Sequence, residues 1–149
     1  MPNIRVKSMH PLLHPRVQSL LDDENLVFTF RARYESNDDH IKDRDTRVTG
    51  KFECPNKRCR NKWSSVCIAI WIRLYHGNEY TVVVYHQRCL KCNALAKPTL
   101  DDTYEERVAR CLKIWSNIKI PRENHEHKRT APHESSRCEG CKAGHCQDY

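Results

Sequence analysis

Nine cysteines in 149 residues carry the first chemical signal. Six of them fall into close pairs: Cys54 with Cys59 in "CPNKRC", Cys89 with Cys92 in "CLKC", and Cys138 with Cys141 in "CEGC". Two thiolates separated by a tight turn can reach one metal ion while backbone N–H groups of the turn point at the sulfurs. Zinc, which takes four borderline or soft ligands at tetrahedral positions, suits such pairs. An odd cysteine count argues against complete internal disulfide pairing.

The segment between the first two pairs dictates how they meet. "SSVCIAIWIRLY" and "EYTVVVYHQRC" are strand-like runs joined by "HGN", where glycine can take a positive φ, so they form an antiparallel hairpin. Ile68, Ile70, Ile72 and Leu74 share one side of the first arm, and Val82 and Val84 are expected opposite them. A hairpin brings its open ends together, so Cys54, Cys59, Cys89 and Cys92 should converge on one zinc ion, as in a zinc ribbon.

The last pair lies in "HESSRCEGCKAGHC", a polar stretch with no means of building a core. Four residues separate His133 from Cys138 and four separate Cys141 from Cys146, a compact His-Cys-Cys-Cys set for a second zinc. His145 is the rival for the histidine corner. Cys67, in mid-strand, and Cys111, on a helix stripe, read as small buried hydrophobes. His86 reads as a sheet-surface residue, and His125 and His127 as solvated.

The surrounding elements follow from periodicity. "HPRVQSLLDD" has proline in a first helical turn and Val17, Leu20 and Leu21 on one face, a short helix docked on the body. "LVFTFRARY" alternates as a half-buried strand, "ESNDDHIKDRD" reads as an exposed acidic loop, and "TRVTGKFEC" as a strand running into Cys54. "LDDTYEERVARCLKIWSNIK" is the clearest helix, capped by Asp102 or Thr103, with Tyr104, Val108, Cys111, Leu112, Trp115 and Ile118 along its apolar stripe. The predicted fold is α+β: a zinc-ribbon-like antiparallel sheet, one helix from the C-terminal half packed on it, and a small zinc-bound tail. Residues 1–45 form an N-terminal helix, strand and acidic loop. Residues 46–146 form the zinc-binding domain, with the ribbon and helix over 46–120, a linker over 121–132 and the knuckle-like tail over 133–146.

Charge points to a class of partner. The net +7 is uneven: residues 47–99 hold ten basic and two acidic groups, residues 20–46 hold four and eight. Lys57, Arg58, Arg60 and Lys62 crowd around the first pair. Such a segment favours an acidic partner, with single-stranded RNA preferred: basic groups hold phosphates while an aromatic face such as Trp63 stacks a base, unless Trp63 is core. The alternative is a protein-binding adaptor or trafficking factor using the acidic loop, the N-terminal helix or a sheet edge.

Other classes find no support. The longest apolar run, Val66 to Ile72, is far short of the ~20 residues of a membrane span, and the N-terminus has no secretory apolar run. A reducing compartment, cytoplasm or nucleus, is expected, where cysteine pairs serve as metal ligands. No H-E-x-x-H, deaminase signature or phosphate loop is present, and both zinc sets can fill four positions, so no catalysis is expected.

"KFECPNKRCRNKWSSVCIAIWIRLY", "YTVVVYHQRCLKC", "YEERVARCLKIW" and "HESSRCEGCKAGHC" together resemble the 3CxxC-type zinc-binding domain, most of all the small fungal proteins made of little else. The resemblance spans about residues 46–146 and implies zinc binding. Relatives include receptor-transporting proteins, whose membrane anchor has no counterpart here, and zygote-arrest proteins, which bind messenger RNA. One departure is the C-x4-C spacing of the first pair, which demands a different loop from a strict CxxC turn.

Overall fold

The computed structural model describes residues 6–32, 39–119 and 137–145. A six-stranded sheet forms its centre, in the order β1 (Lys7–Ser8), β5 (Glu79–Tyr85), β4 (Lys62–Tyr75), β3 (Lys42–Glu53) and β8 (Thr99–Leu100). The sixth strand, β2 (Thr29–Phe30), runs parallel to β5 and shares its outer edge with the antiparallel β1. The expected hairpin is present. Ile70 faces Val84 and Ile72 faces Val82, and the turn uses Gly77 at φ 80° and Asn78 at φ 57°.

Alternation along β4 splits the sheet into two faces. Ile68, Ile70, Ile72 and Leu74 point inward with Val48, Val82 and Val84. Against them lie α1 (His14–Leu21), through Val17 and Leu21, and α2 (Thr103–Trp115), through Tyr104, Val108, Cys111 and Leu112. Fully burying each such aliphatic side chain stabilises the fold by about 1.5–3 kcal/mol. Trp63 is partly buried and packs against this core, stacked on Phe52 with ring centroids 4.9 Å apart and planes 6° from parallel. One face of its ring is therefore taken.

Three local expectations need correction. Among the described residues the strand expected over "LVFTFRARY" shortens to Thr29–Phe30, with Arg31 N–H adding one more bond to β5 at the Tyr80 carbonyl, 2.9 Å. The expected acidic loop yields its last part to β3, which starts at Lys42 and pairs Lys42 with Leu74 and Asp45 with Trp71. Its acids are used on the outer face, where Asp43 accepts from the Trp71 indole N–H at 2.8 Å. At the start of α2, the Asp102 side chain caps nothing. Asp101 does so instead, accepting from the backbone N–H and the hydroxyl of Thr103 and also from the hydroxyl of Thr49, which ties the helix to β3.

That tie sits at a β-bulge, where Val66 and Cys67 of β4 together face Thr49 of β3. The next residue, Gly50, pairs with Leu100, and a Cβ there would stand 2.6 Å from the Thr99 carbonyl oxygen. Glycine is what lets β8 close the sheet at this edge.

Candidate metal centre

Strand β3 ends at Glu53 and delivers Cys54, whose N–H donates to the Asn61 carbonyl at 2.8 Å. Between them Asn56 organises a tight turn. Its carbonyl accepts from the N–H groups of Cys59 and Arg60, both at 3.0 Å, and its side-chain oxygen accepts from Arg58 N–H at 3.1 Å. Arg60 then takes a left-handed φ of 50°. The second pair follows the same plan, flanked by β6 (Gln87–Arg88) and β7 (Leu95–Ala96). Cys89 N–H donates to Ala94 O, Asn93 N–H donates to Cys89 O, each at 2.8 Å, and Asn93 has φ 62°.

The parallel explains the C-x4-C spacing. Asn56 occupies the corner of the first turn that Cys89 occupies in the second, and Cys54 supplies its sulfur from the strand two residues earlier. Both turns end in a left-handed residue directly after their last cysteine.

The four sulfurs of Cys54, Cys59, Cys89 and Cys92 lie within 4.8 Å of one another. Cys54 Sγ is 3.2 Å from Cys92 Sγ, and Cys59 Sγ is 3.7 Å from Cys89 Sγ. A tetrahedron with Zn–S bonds of about 2.3 Å has S–S edges of about 3.8 Å, whereas a disulfide needs about 2.05 Å. Four thiols at this spacing fit a metal, and neither of these two pairs stands at disulfide distance.

The protein also prepares for negative charge. Burial pushes the Cys89 thiol up, but the backbone N–H groups of Cys92 and Lys91 and the Asn61 amide outweigh it and bring it down to about 6. Lys91 N and Asn61 Nδ2 lie 3.4 and 3.6 Å from its sulfur. Cys54, with burial as the largest cause, is pushed up to about 12. A bound cation holds thiolates that differ so widely in the same deprotonated form.

The third pair lies on the outer face of the sheet. Cys138 and Cys141 bracket the start of α3 (Glu139–Lys142), and Cys141 N–H donates to Cys138 Sγ at 3.4 Å. His133 and Cys146 lie outside the described residues, as do His125 and His127. His145 is described, and its Nδ1 is held by the Asp45 carboxylate at 2.7 Å while its ring stacks on Trp71 at 4.4 Å.

The knuckle-like tail is expected from its sequence to stand as a small module, and its described part is instead stitched to the sheet. Cys138 bridges to Gln87, and Glu139 N–H donates to His86 O at 3.1 Å. Arg88 meets the buried Glu139 carboxylate at 2.8 Å, and Arg137 donates to Cys89 O at 2.9 Å and to Asn93 Oδ1 at 3.2 Å. The tail thus grips the backbone of a first-cluster cysteine. Sequence reasoning misses Arg137, Glu139 and Asp45, since nothing local marks a residue whose partner lies dozens of positions away.

The remaining candidates fall as follows. Lys57, Arg58, Arg60 and Lys62 are all exposed around the sulfur cluster. Cys67 and Cys111 are buried, and burial pushes the Cys111 thiol up to about 12. His86, expected on the surface, is buried with its Nε2 at 2.9 Å from Ser8 Oγ, because β1 and the tail both cover that end of β5.

A sulfur cluster at the open end of a β-hairpin, built from two turns of one design, defines a zinc ribbon. The sequence model of one such family, the 3CxxC zinc ribbon described as a zinc-binding domain, matches residues 47–144, and the chain belongs to that family. No curated protein and no solved structure matches it. Among the described residues no helix is long and apolar enough to cross a membrane.

Proposed function

We propose that this zinc-binding domain is a non-catalytic, intracellular module that binds single-stranded RNA through the basic surface around its first cysteine pair. Cys54, Cys59, Cys89 and Cys92 hold one structural zinc. His133, Cys138, Cys141 and Cys146 hold a second; His145 is the rival for the histidine corner, since a carboxylate on Nδ1, here Asp45, leaves Nε2 as a ligand atom. Native mass spectrometry of the full chain should then report two zinc ions, and a single ion would reject the tail site.

The observation that carries the RNA reading is the exposure of Lys57, Arg58, Arg60 and Lys62 in a run with no acidic residue between Cys54 and Lys62. Lys62 stands opposite Glu53 in the β3–β4 register, so most of the field comes from the other three. Replacing all four by glutamine keeps length and polarity and touches no ligand, so zinc content and thermal stability should stay unchanged. RNA affinity at low salt should fall by about an order of magnitude or more. The slope of log affinity against log salt should flatten by about 0.7 for each phosphate no longer neutralised. Unchanged affinity and slope, with zinc retained, would reject RNA binding by this surface and favour a protein-binding adaptor.

A further inference from the structure

We infer that the second cysteine turn, through Leu90 and Lys91, is the other half of the RNA-binding surface, an inference that rests on the RNA reading above. In the two equivalent turns, Lys57 and Arg58 lie between Asn56 and Cys59 as Leu90 and Lys91 lie between Cys89 and Cys92. Each turn is anchored by sulfurs that approach within 4.8 Å of those of the other, so the two tips flank one metal centre. All four tip residues are exposed.

The electrostatics of this end are predominantly positive, with the exposed Glu53 opposite Lys62 at its margin. Neither the stretch from Cys54 to Lys62 nor that from Cys89 to Lys97 contains an aspartate or glutamate. The acid the tail brings nearby, Glu139, is buried and already neutralised by Arg88 at 2.8 Å and Lys142 at 3.4 Å. Arg137, braced on the second turn through Cys89 O and Asn93 Oδ1, adds positive charge from a third segment. Basic groups from both turns can therefore track one phosphate backbone.

Leu90 adds an exposed apolar contact. One face of the partly buried Trp63 is taken by Phe52, whereas Leu90 is one of few large apolar side chains left in solvent among the described residues, at 51% exposure. An exposed leucine beside a lysine at the tip of a rigid turn suits contact with the face of an unstacked base, with the neighbouring phosphate on Lys91.

The test uses the full zinc-loaded chain and a fluorescent twelve-nucleotide oligouridine, read by anisotropy at several salt concentrations. Lys91→Gln should flatten the log–log salt slope by about 0.7, which at 0.1 M salt corresponds to a weakening of about fivefold. Leu90→Ser should weaken binding by a similar factor and leave the slope unchanged, because it removes an apolar contact and no counterion. Both side chains are exposed, so zinc content and melting temperature should match the parent chain. Parental affinity and slope in both variants would overturn the inference, while weakened binding in the first-turn glutamine variant would leave the RNA reading standing. Failure of the parent chain to bind the oligonucleotide at low salt would overturn both.

Discussion

Replacing Cys89 with serine is expected to abolish the folded sheet. Its sulfur is fully buried, belongs to the four-sulfur cluster, and accepts from Lys91 N–H and the Asn61 amide. A serine hydroxyl is smaller, harder and protonated at neutral pH, so it neither reaches the ion nor balances its charge. Structural zinc contributes on the order of 10 kcal/mol or more, against a total stability of about 5–15 kcal/mol for an ordinary domain. Native mass spectrometry of Cys89→Ser should show the first zinc missing, and circular dichroism should show no cooperative melt on heating from room temperature. Cys111→Ala is the control. It removes a buried thiol from the apolar face of α2 and should leave the zinc content of the parent chain unchanged. A Cys89→Ser chain that keeps the parental melt would show that the cluster is dispensable for folding.

The second large effect is expected from one methyl group. A Cβ added at Gly140 would stand 2.3 Å from the Ala69 Cβ and 3.4 Å from the Tyr85 Cβ. Both neighbours are Cβ atoms fixed to strands, so no rotamer change relieves the clash. Carbon atoms rest about 3.5–4.0 Å apart, so α3 must lift by an ångström or more. That movement breaks the Arg88–Glu139 pair, the Arg137 contact with Cys89 O and the His145–Asp45 bond together. Gly140→Ala should therefore cost about 1–3 kcal/mol, a drop of several degrees in melting temperature at roughly 2–4 °C per kcal/mol. Hydrogen exchange over residues 137–145 should accelerate to match. Adding Ala69→Gly makes room for the new methyl and should restore slow exchange, although a strand glycine itself costs about 0.5–1 kcal/mol. Parental exchange and melting in Gly140→Ala would show that the tail does not rest on the sheet as described.

The contrast between these two experiments marks the border between local and global information. The hairpin is legible because Ile68, Ile70, Ile72 and Leu74 repeat at the strand period and "HGN" can turn only with a residue at positive φ. The first metal centre is legible for the same reason, since a hairpin obliges its ends to meet and the cysteines sit at those ends. Helix α2 announces itself by Tyr104, Val108, Cys111 and Leu112 at the helical period, all of them buried.

What periodicity cannot reach is anything decided by a distant partner. Lys42 to Asp45 look like loop because they are charged, and they are strand because β4 extends far enough to pair with them. Asp45 looks like solvent-facing charge, and it holds a histidine 100 residues along the chain. Phe28 and Phe30 alternate as a strand should, yet among the described residues only Thr29 and Phe30 pair in register with β5, whose edge further along is taken by β1. The amino-acid sequence by itself determined the elements and the four sulfurs that join them, because those depend on spacing along the chain. The tertiary structure alone decided that the tail binds the sheet and that its Arg137 braces the second cysteine turn, because those depend on which surfaces remain unpaired once the elements have packed.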